Sequence, residues 1–354
     1  MAEPTSVLNF RDLVKRVAQY YGVASYDSGG LPYIPVDDAF NFEESKRIVA
    51  EGIRMLVSRP PSNAKWRWMR RNLQVTFDAT GGGVNNIDSD AARYLLDASY
   101  CGQTAGKIHY IAASAHNTRI EWRDEAFINE RRETTTSQTG YPQFVAIVPY
   151  QMTGPALAAS RRWEMILFPT PHTTETVFFP HLMQFDRFQM EGGTATGAST
   201  TSITDSSRTE PDDFFNTWVV RIISGTGKLS SATVTDYTGS TGAFTVADWL
   251  DQEGAPAGTD PVTGSLYLVE PATNMLQTPF VLDEAVREAC LAKAEMEAED
   301  AELGTRHITY FNDVALPGAW DLDGNSAPRL LGPWSNGPRR AYRRVRENIT
   351  YNTL

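Results

Sequence analysis

The fold of this 354-residue chain depends on how residues 191–205, which read EGGTATGASTTSITD, are interpreted. This stretch consists almost entirely of Gly, Thr, Ser and Ala, a composition typical of flexible linkers, and it lies near the middle of the sequence. A linker at this position would join two consecutive domains. Alternatively, the stretch opens an insertion inside a single domain, and the segments on either side distinguish the two cases.

Helices are predicted at both ends of the chain. The first covers residues 9–22 with Asn9 as its N-cap, and the second covers residues 38–59 with Asp38 as its N-cap. The third covers residues 278–304 and is rich in alanine, which lets neighbouring helices approach closely. Because the sequence between them has β character, these helices have only each other as helical partners. We therefore expect a helical bundle, with a long C-terminal helix, in which both chain ends share one core.

The intervening sequence consists of short runs in which apolar and polar residues alternate, as in β-strands. Residues 70–190 predict a mainly antiparallel β region whose runs are closed by prolines. Residues 191–277 contain four or five shorter runs between Gly, Ser or Asp turns, which predict a small β-sandwich or barrel. The expected fold class is α+β, with a core formed by residues 1–190 and 278–328 and an inserted β module formed by residues 191–277.

Composition excludes several classes of protein. The net charge of −11 and the pI near 5.0 argue against a protein that grips nucleic acid through its phosphates. Two cysteines, Cys101 and Cys290, predict neither a disulfide framework nor a metal cluster. Residues 1–10 lack the features of a secretory signal, and no window approaches the roughly 18 apolar residues of a membrane span. A soluble protein is expected.

The charge is distributed unevenly along the chain. Residues 205–270 contain ten acidic and three basic side chains, a balance of −7, which predicts a solvated, outward-facing β module. Residues 329–354 contain six arginines and a single acid, Glu347, a balance of +5. Prolines and glycines interrupt this last segment, so we expect an extended basic arm that becomes ordered on another surface.

Two loops resemble ligand-binding motifs but lack essential residues. Residues 224–231 read SGTGKLSS, yet Ile222 and Leu229 stand where a phosphate-binding loop needs Gly and Ser or Thr, so a hairpin turn is predicted. Residues 321–325 read DLDGN, but Gly332 occupies the position of the bidentate glutamate of a calcium loop. The sequence therefore predicts an Asp-Gly turn there and no metal site.

No catalytic site is predicted. The five histidines show no paired metal-binding spacing, and no G-x-S-x-G motif is present. Asp186 and Glu191 could act as a glycosidase pair only if their proximity were assumed. We accordingly expect a protein that is not an enzyme and that uses no cofactor.

Trp66 and Trp68 form an aromatic–basic cluster with Arg67, Arg70 and Arg71. The tryptophans could stack on nucleic acid bases. The favoured alternative places the tryptophans in the core at a helix–strand junction, with the arginines on the surface or paired with an adjacent subunit.

Several stretches along the chain form a specific order. They are FRDLVKRVAQYYGV (10–23), GIRMLVSRPP (52–61), WRWMRRNLQVTF (66–77), YLLDASYCGQTAGKIHY (94–110), GYPQFVAIVP (140–149), RRWEMILFPTP (161–171) and LDEAVREACLAKAEMEAED (282–300). This order resembles the head-to-tail adaptor (connector) proteins of tailed bacteriophages. Residues 96–98, Leu-Asp-Ala, depart from that family's pattern, in which a Pro and an acidic–aromatic pair are expected.

The inserted segment has a resemblance of its own, carried by residues 194–218, 224–228, 234–246 and 264–271. These stretches are similar to a β module found in many phage virion proteins.

The resemblance implies a structural virion protein that forms a ring, usually a dodecamer, beneath the portal protein. The helices would surround a channel through which double-stranded DNA passes without specific binding, and the β part would face a tail or nozzle protein. The implied location is the neck of the virion, after assembly in the host cytoplasm, with no membrane contact.

The resemblance also implies two sets of site residues. An acidic helix would line the DNA channel, and the basic arm would dock on the portal through pairs between arginines and carboxylates. The helix set is Asp283, Glu284, Glu288, Glu295 and Glu299, and the arm set is Arg339, Arg340, Arg343, Arg344 and Arg346.

Two alternatives remain open. One is a tail or capsid-decoration protein that uses its β module for binding. The other, favoured less, is a virion-associated glycan hydrolase.

Overall fold

The structure is a computed structural model, and the chain is a mixed α+β protein, as predicted. Helices lie near both ends and several β-sheets lie between them. The described residues are 8–60, 65–83, 85–97, 99–111, 114, 119–134, 138–150, 162–183, 188–272, 276, 278–298 and 303–325. The basic arm lies outside them. Within the described ranges the α-helices are Phe10–Tyr20 (α1), Ala39–Val57 (α2), Glu125–Thr134 (α3), Asp283–Glu297 (α4), Arg306–Tyr310 (α5) and Leu316–Asn325 (α6).

The first two helices begin where the sequence predicts. The side chain of Asn9 accepts a hydrogen bond from the backbone N–H of Asp12, and that of Asp38 accepts from the N–H groups of Phe40 and Asn41. Each cap satisfies N–H groups that have no partner within the helix. Both predicted N-caps are confirmed.

The third predicted helix is shorter than expected. Helix α4 has 15 residues, and Ala298 already has an extended backbone with ψ of 131°. The preceding residues, Phe280–Leu282, form a 3-10 turn rather than part of the α-helix. After Gly304, a second helical segment runs through α5, a π-helical turn at Phe311–Ala315 and α6. A single helix over residues 278–304 is therefore not formed, because the chain turns and packs a new helix against α4.

Helices α1, α2 and α4 contribute to one hydrophobic cluster, so the two ends of the chain pack together. The alanines of α4 lie at this contact, as predicted. Gly52 of α2 is the closest approach, since a Cβ there would lie 2.5 Å from Cys290 Cα. The central buried residues of the cluster are Phe10, Leu13, Val14, Val17, Ile48, Val49, Ile53, Leu56, Ala285, Val286, Ala289, Cys290 and Ala292.

The region between α2 and the insertion forms a mainly antiparallel sheet of nine strands, in which β8 and β10 are parallel. Its order is β3-β13-β7-β8-β10-β11-β5-β4, and β6 also pairs with β13. The sheet curls into a half-barrel, which brings Phe77 and Tyr94 from distant strands to a ring-centroid distance of 5.1 Å. Its strands are Arg70–Phe77 (β3), Asn86–Ile87 (β4), Asp90–Leu95 (β5), Tyr100–Thr104 (β6), Ile108–Tyr110 (β7), Arg119–Trp122 (β8), Phe144–Pro149 (β10), Trp163–Phe168 (β11) and Glu175–Met183 (β13).

Two small pairs of strands lie beside these elements. A hairpin of Ser25–Tyr26 (β1) and Pro32–Tyr33 (β2) precedes α2. Thr139–Gly140 (β9) and Thr170–Pro171 (β12) form a short parallel pair.

The inserted module is an antiparallel sheet of seven strands in the order β14-β20-β17-β18-β19-β16-β15. Aromatic residues, among them Phe215, Tyr237, Phe244 and Tyr267, fill a hydrophobic cluster of its own. The strands are Glu191–Thr194 (β14), Gly197–Ser199 (β15), Ser202–Thr204 (β16), Val219–Ser224 (β17), Ser231–Thr238 (β18), Ala243–Val246 (β19) and Leu266–Glu270 (β20).

Strand β20 joins the module to the helical core. Tyr267 and Val269 point into the cluster of the module, whereas Leu268 between them belongs to the cluster of α1, α2 and α4. This alternation follows from the period of two in a strand. Gly192 lies against Val36 of the core, since a Cβ there would approach Val36 Cγ1 to 2.6 Å. The base of the module is thus packed on the helices.

The close approach of α2 and α4 gives the first prediction. In Gly52→Ala, the added methyl group would lie 2.5 Å from Cys290 Cα and 2.9 Å from the Cys290 amide nitrogen, so the helices must separate. We expect a loss of about 1–3 kcal/mol in the free energy of unfolding, measured by chemical denaturation.

A matched control is Gly318→Ala on α6, where an added Cβ meets nothing within 4 Å. Alanine is the better helix former, so stability should rise by up to about 1 kcal/mol. Equal effects of the two substitutions would contradict the packing described for Gly52.

Candidate assembly surfaces

The acidic helix α4 does not present all its carboxylates to solvent. Glu284 is exposed, and Asp283 is half-buried and accepts a hydrogen bond from the backbone N–H of Leu8 at 3.2 Å. Glu288 and Glu295 are only 5% and 4% exposed, and Glu299 lies outside the described residues. The prediction that this helix lines a channel is therefore wrong for Glu288 and Glu295, because their side chains point into the protein.

Glu295 caps the helical segment that follows α4. Its carboxylate accepts hydrogen bonds from the backbone N–H groups of His307 at 2.9 Å and Ile308 at 2.8 Å. The Tyr20 hydroxyl donates to the same carboxylate at 2.7 Å. Burial and this hydrogen bond raise the pKa of Tyr20 to about 12. A negative charge at a helix N-terminus is favourable, so Glu295 connects α1, α4 and α5.

Glu288 forms the second buried contact of this kind. Its Oε2 lies 2.6 Å from His307 Nδ1, and its Oε1 accepts from Arg287 Nε at 3.2 Å. A buried carboxylate needs such partners, because an unpaired buried charge is costly in free energy. The sequence did contain a signal for this arrangement. Glu288 and Glu295 are seven residues apart and share a helix face with buried Ala285 and Ala292.

The two tryptophans of the aromatic–basic cluster have structural roles. Trp66 is buried and its indole N–H donates to the carbonyl of Val57 at 3.1 Å. Trp68 is half-buried, and the carboxylate of Asp323 accepts from the backbone N–H groups of Arg67 and Trp68 at 2.8 and 3.1 Å. The favoured interpretation as core residues is confirmed for Trp66. The arginines of the cluster are exposed, namely Arg67, Arg70 and Arg71.

The other motifs have local structural explanations. Residues 224–231 connect the antiparallel strands β17 and β18, so the predicted hairpin turn is confirmed. Asp321 and Gly324 lie within α6, so the predicted Asp-Gly turn is wrong. Glu191 forms ion pairs with Lys46 at 3.6 Å and Arg208 at 3.5 Å. Asp186 lies outside the described residues.

Ion pairs reinforce the junction between the module and the core. Glu270 of the module accepts from Arg11 of α1 at 3.3 Å and from Arg221 at 3.2 Å. Lys228, in the turn between β17 and β18, pairs with Asp27 of the first hairpin. Hydrogen bonding to Lys228 lowers the pKa of Asp27. The module is held at two points along its base.

One end of the core, which we call the acidic end, exposes large apolar side chains: Tyr26 is 60%, Leu31 61% and Phe40 77% exposed. The hydroxyl of Ser25 donates to Asp37 at 3.2 Å, which places the hairpin beside the start of α2. The charged side chains of the acidic end are Asp27, Asp37, Asp38 and Glu43, with Lys46 and Lys228.

The opposite end of α2 is basic. Arg54 lies in the last turn of α2, and Arg59 follows the end of the helix by two residues. Trp66, just before β3, donates its indole N–H to the carbonyl of Val57 at the end of α2, and Asp323 accepts from the backbone N–H of Arg67. Asp97 lies near Arg71; hydrogen bonds from Ser99 are the main cause of its lowered pKa, and Arg71 contributes. We call this surface the basic end. Its charged residues are Arg54, Arg59, Lys65, Arg67, Arg70 and Arg71, with Asp97, Asp321 and Asp323.

Comparison with known proteins gives no identification. No protein-family model matches the chain, and no curated protein matches it. Among the described residues, no three His, Cys, Asp or Glu side chains are grouped so that they could hold a metal ion. Across the same part of the chain, no helix combines the length and apolar character needed to cross a membrane.

His181 is a buried titratable residue of the half-barrel. Its side chain is 0% exposed, and it stacks on Phe179 at a centroid distance of 5.1 Å. Nδ1 lies 3.2 Å from the carbonyl oxygen of Phe179, to which it can donate. Burial lowers the pKa of His181, because the imidazolium would lose its hydration.

The buried cap gives the second prediction. In Glu295→Gln, the charge and one acceptor oxygen are lost while the side-chain volume is kept. Because Tyr20, His307 and Ile308 all donate to this carboxylate, we expect the free energy of unfolding to fall by about 1–3 kcal/mol. Chemical denaturation measures the change.

The control for Glu295 is Glu284→Gln, since exposed Glu284 accepts only from Tyr310 Oη among the hydrogen bonds described for it. Its substitution should leave stability nearly unchanged. If Glu295→Gln proved as harmless as the control, the role of Glu295 as an internal cap would be refuted.

The third prediction concerns pH. The folded state disfavours protonated His181, whereas the unfolded chain protonates it with a pKa of about 6.5. The unfolded state therefore binds more protons as pH falls, and stability should decline from about pH 7.5 towards pH 5.5. In His181→Phe this part of the pH dependence should be absent.

Denaturation curves of both proteins across that range measure the effect. His109→Gln is the control, because His109 is exposed on β7. A pH dependence that His181→Phe leaves unchanged would show that another group is responsible.

Proposed function

We propose that this chain is a structural virion protein, a ring-forming head-to-tail adaptor of a tailed bacteriophage. In this proposal it binds beneath the portal, extends the DNA channel and provides the surface to which the tail attaches. The observation that carries the proposal is the packing of α1 and α2 against α4 in one cluster, with both β regions between them in sequence. That order of elements is the one on which the resemblance to adaptors rests.

The packing supports a compact helical bundle in each subunit. Gly52 and the alanines of α4 allow helices from the two ends of the chain to pack closely. In the proposed ring, which is a dodecamer by the resemblance to adaptors, these bundles would surround the channel. The burial of Glu288 and Glu295 restricts which acids of α4 can face DNA to the more exposed Asp283, Glu284 and Glu297.

The charge of the chain agrees with a DNA channel. Contacts between cations and phosphates hold DNA in place and would slow its passage. A protein with a net charge of −11 offers few such contacts overall. The cations of residues 329–354 are instead proposed to dock on portal carboxylates, with Arg339, Arg340 and Arg343 among them.

The β module is proposed to lie on the side of the tail. Its base is fixed to the core by Leu268 and by the ion pairs of Glu270 and Lys228. The remaining strands carry most of the negative charge of the chain and are available for a tail or nozzle protein. A module anchored in this way would transmit force between tail and core without a flexible joint.

The fourth prediction is the copy number of this chain in purified phage particles. If the chain forms an adaptor ring, quantitative mass spectrometry should give a ratio to the portal protein near one to one. A much larger ratio would instead support a decoration or tail protein. Absence of the chain from the particle would refute the structural function.

A further inference from the structure

We infer that the acidic end of one copy binds the basic end of a second copy, head to tail. The inference rests on the proposed function, because it names the subunit contact of the proposed ring. It is carried by two surfaces on the same chain that differ in charge and are separated by the length of α2.

The acidic end has the exposure expected of a protein interface. Tyr26, Leu31 and Phe40 leave most of their side chains in water, and Leu229 lies nearby because its neighbour Lys228 pairs with Asp27. Several large apolar side chains exposed at one end of a molecule indicate a site of protein association. Aromatic residues such as Tyr26 and Phe40 are also enriched among residues that dominate binding energy.

The charges indicate what would cover this surface. The acidic end has four acids and two cations, a balance of −2, whereas the basic end has six cations and three acids, a balance of +3. Opposite potentials of this kind steer association and fix the relative orientation of the partners. In a chain whose net charge is −11, the basic end is the complement available within the described residues.

A second copy is required, since the two ends cannot meet within one molecule. Phe40 in the first turn of α2 and Arg54 in its last turn are 14 residues apart, which corresponds to about 21 Å at 1.5 Å per residue. The contact joins two different surfaces, so it is heterologous. Such contacts repeat from subunit to subunit and close into a ring when the rotation permits.

The test uses two variants that each disable one end. Phe40→Ser removes the most exposed apolar side chain of the acidic end, and Arg70→Glu reverses a charge of the basic end. Both positions are exposed, so unfolding curves should match those of the wild type. Native mass spectrometry and sedimentation equilibrium then report the mass of each species.

We expect the wild type to form multimers as concentration rises, and each variant alone to remain monomeric. An equimolar mixture should form a one-to-one heterodimer that grows no further. Phe40→Ser keeps a functional basic end and Arg70→Glu keeps a functional acidic end, so only one contact is possible. Added salt should weaken the heterodimer, because its charges lie at the surface.

Two further substitutions test whether the position of the change, and not merely its chemical type, causes the effect. Phe214→Ser in the inserted module and Arg119→Glu make the same kinds of change at exposed positions outside both ends, and both should leave multimer formation unchanged.

Three results would overturn the inference: a wild type that stays monomeric throughout the concentration range, variants that still form multimers, or a mixture that stays monomeric. None of these three results would by itself refute the proposed function. A chain present at one copy per portal subunit would retain its adaptor role and form its ring through other surfaces.

Discussion

The close contact between α2 and α4 is the constraint on which the remaining structure depends. Because Gly52 has no side chain, the backbone of α4 at Cys290 can lie directly against α2. The Cys290 Sγ in turn lies 3.7 Å from the carbonyl oxygen of Val49. Interiors packed at crystal-like density have little room for adjustment at such a contact. Because it joins residues more than two hundred positions apart, it also fixes where every segment between them must begin and end.

The buried carboxylates of α4 follow from that contact. Once one face of α4 packs on α2 and α1, Glu288 and Glu295 are removed from water and require partners. Helix α5 supplies them through His307 and Ile308, and Tyr20 of α1 adds a hydroxyl. Helix α4 also ends earlier than predicted for this reason. The chain has to turn after α4 so that the donors of α5 can reach the two carboxylates. A helix that continued in the same direction would leave the buried acids without their partners from α5.

The inserted module depends on the same helical core. Strand β20 has one face in the core of the module, and on its other face Leu268 lies in the helical cluster with Leu266 packed against that cluster. The ion pairs of Glu270 with Arg11 and of Lys228 with Asp27 fix the orientation of the module on the core. Residues 191–205, whose composition is typical of a linker, therefore begin a junction that is held by packing and ion pairs. In the proposed adaptor, such a junction couples whatever binds the module to the helices that form the ring.

Local sequence was sufficient for those features that depend on neighbouring residues. Asn9 and Asp38 cap their helices because a capping side chain reaches an N–H only two or three residues away. The alternating runs formed strands for the same reason, since the period of two is a local property of the backbone. The packing of helices from both chain ends was also predicted, although the β region does contain one helix, α3, which packs on β10 and β11 instead.

The tertiary structure decided which way side chains face and where elements end. The resemblance to adaptors places Glu288 and Glu295 in a channel wall, but partners from α1 and α5 stabilise them inside the protein. The Asp-Gly sequence of residues 321–325 became part of α6, where Asp323 accepts from backbone N–H groups some 250 positions earlier, at Arg67 and Trp68. The contacts of Asp323 with residues so far away leave no periodic trace in the sequence, and only the folded chain brings them together.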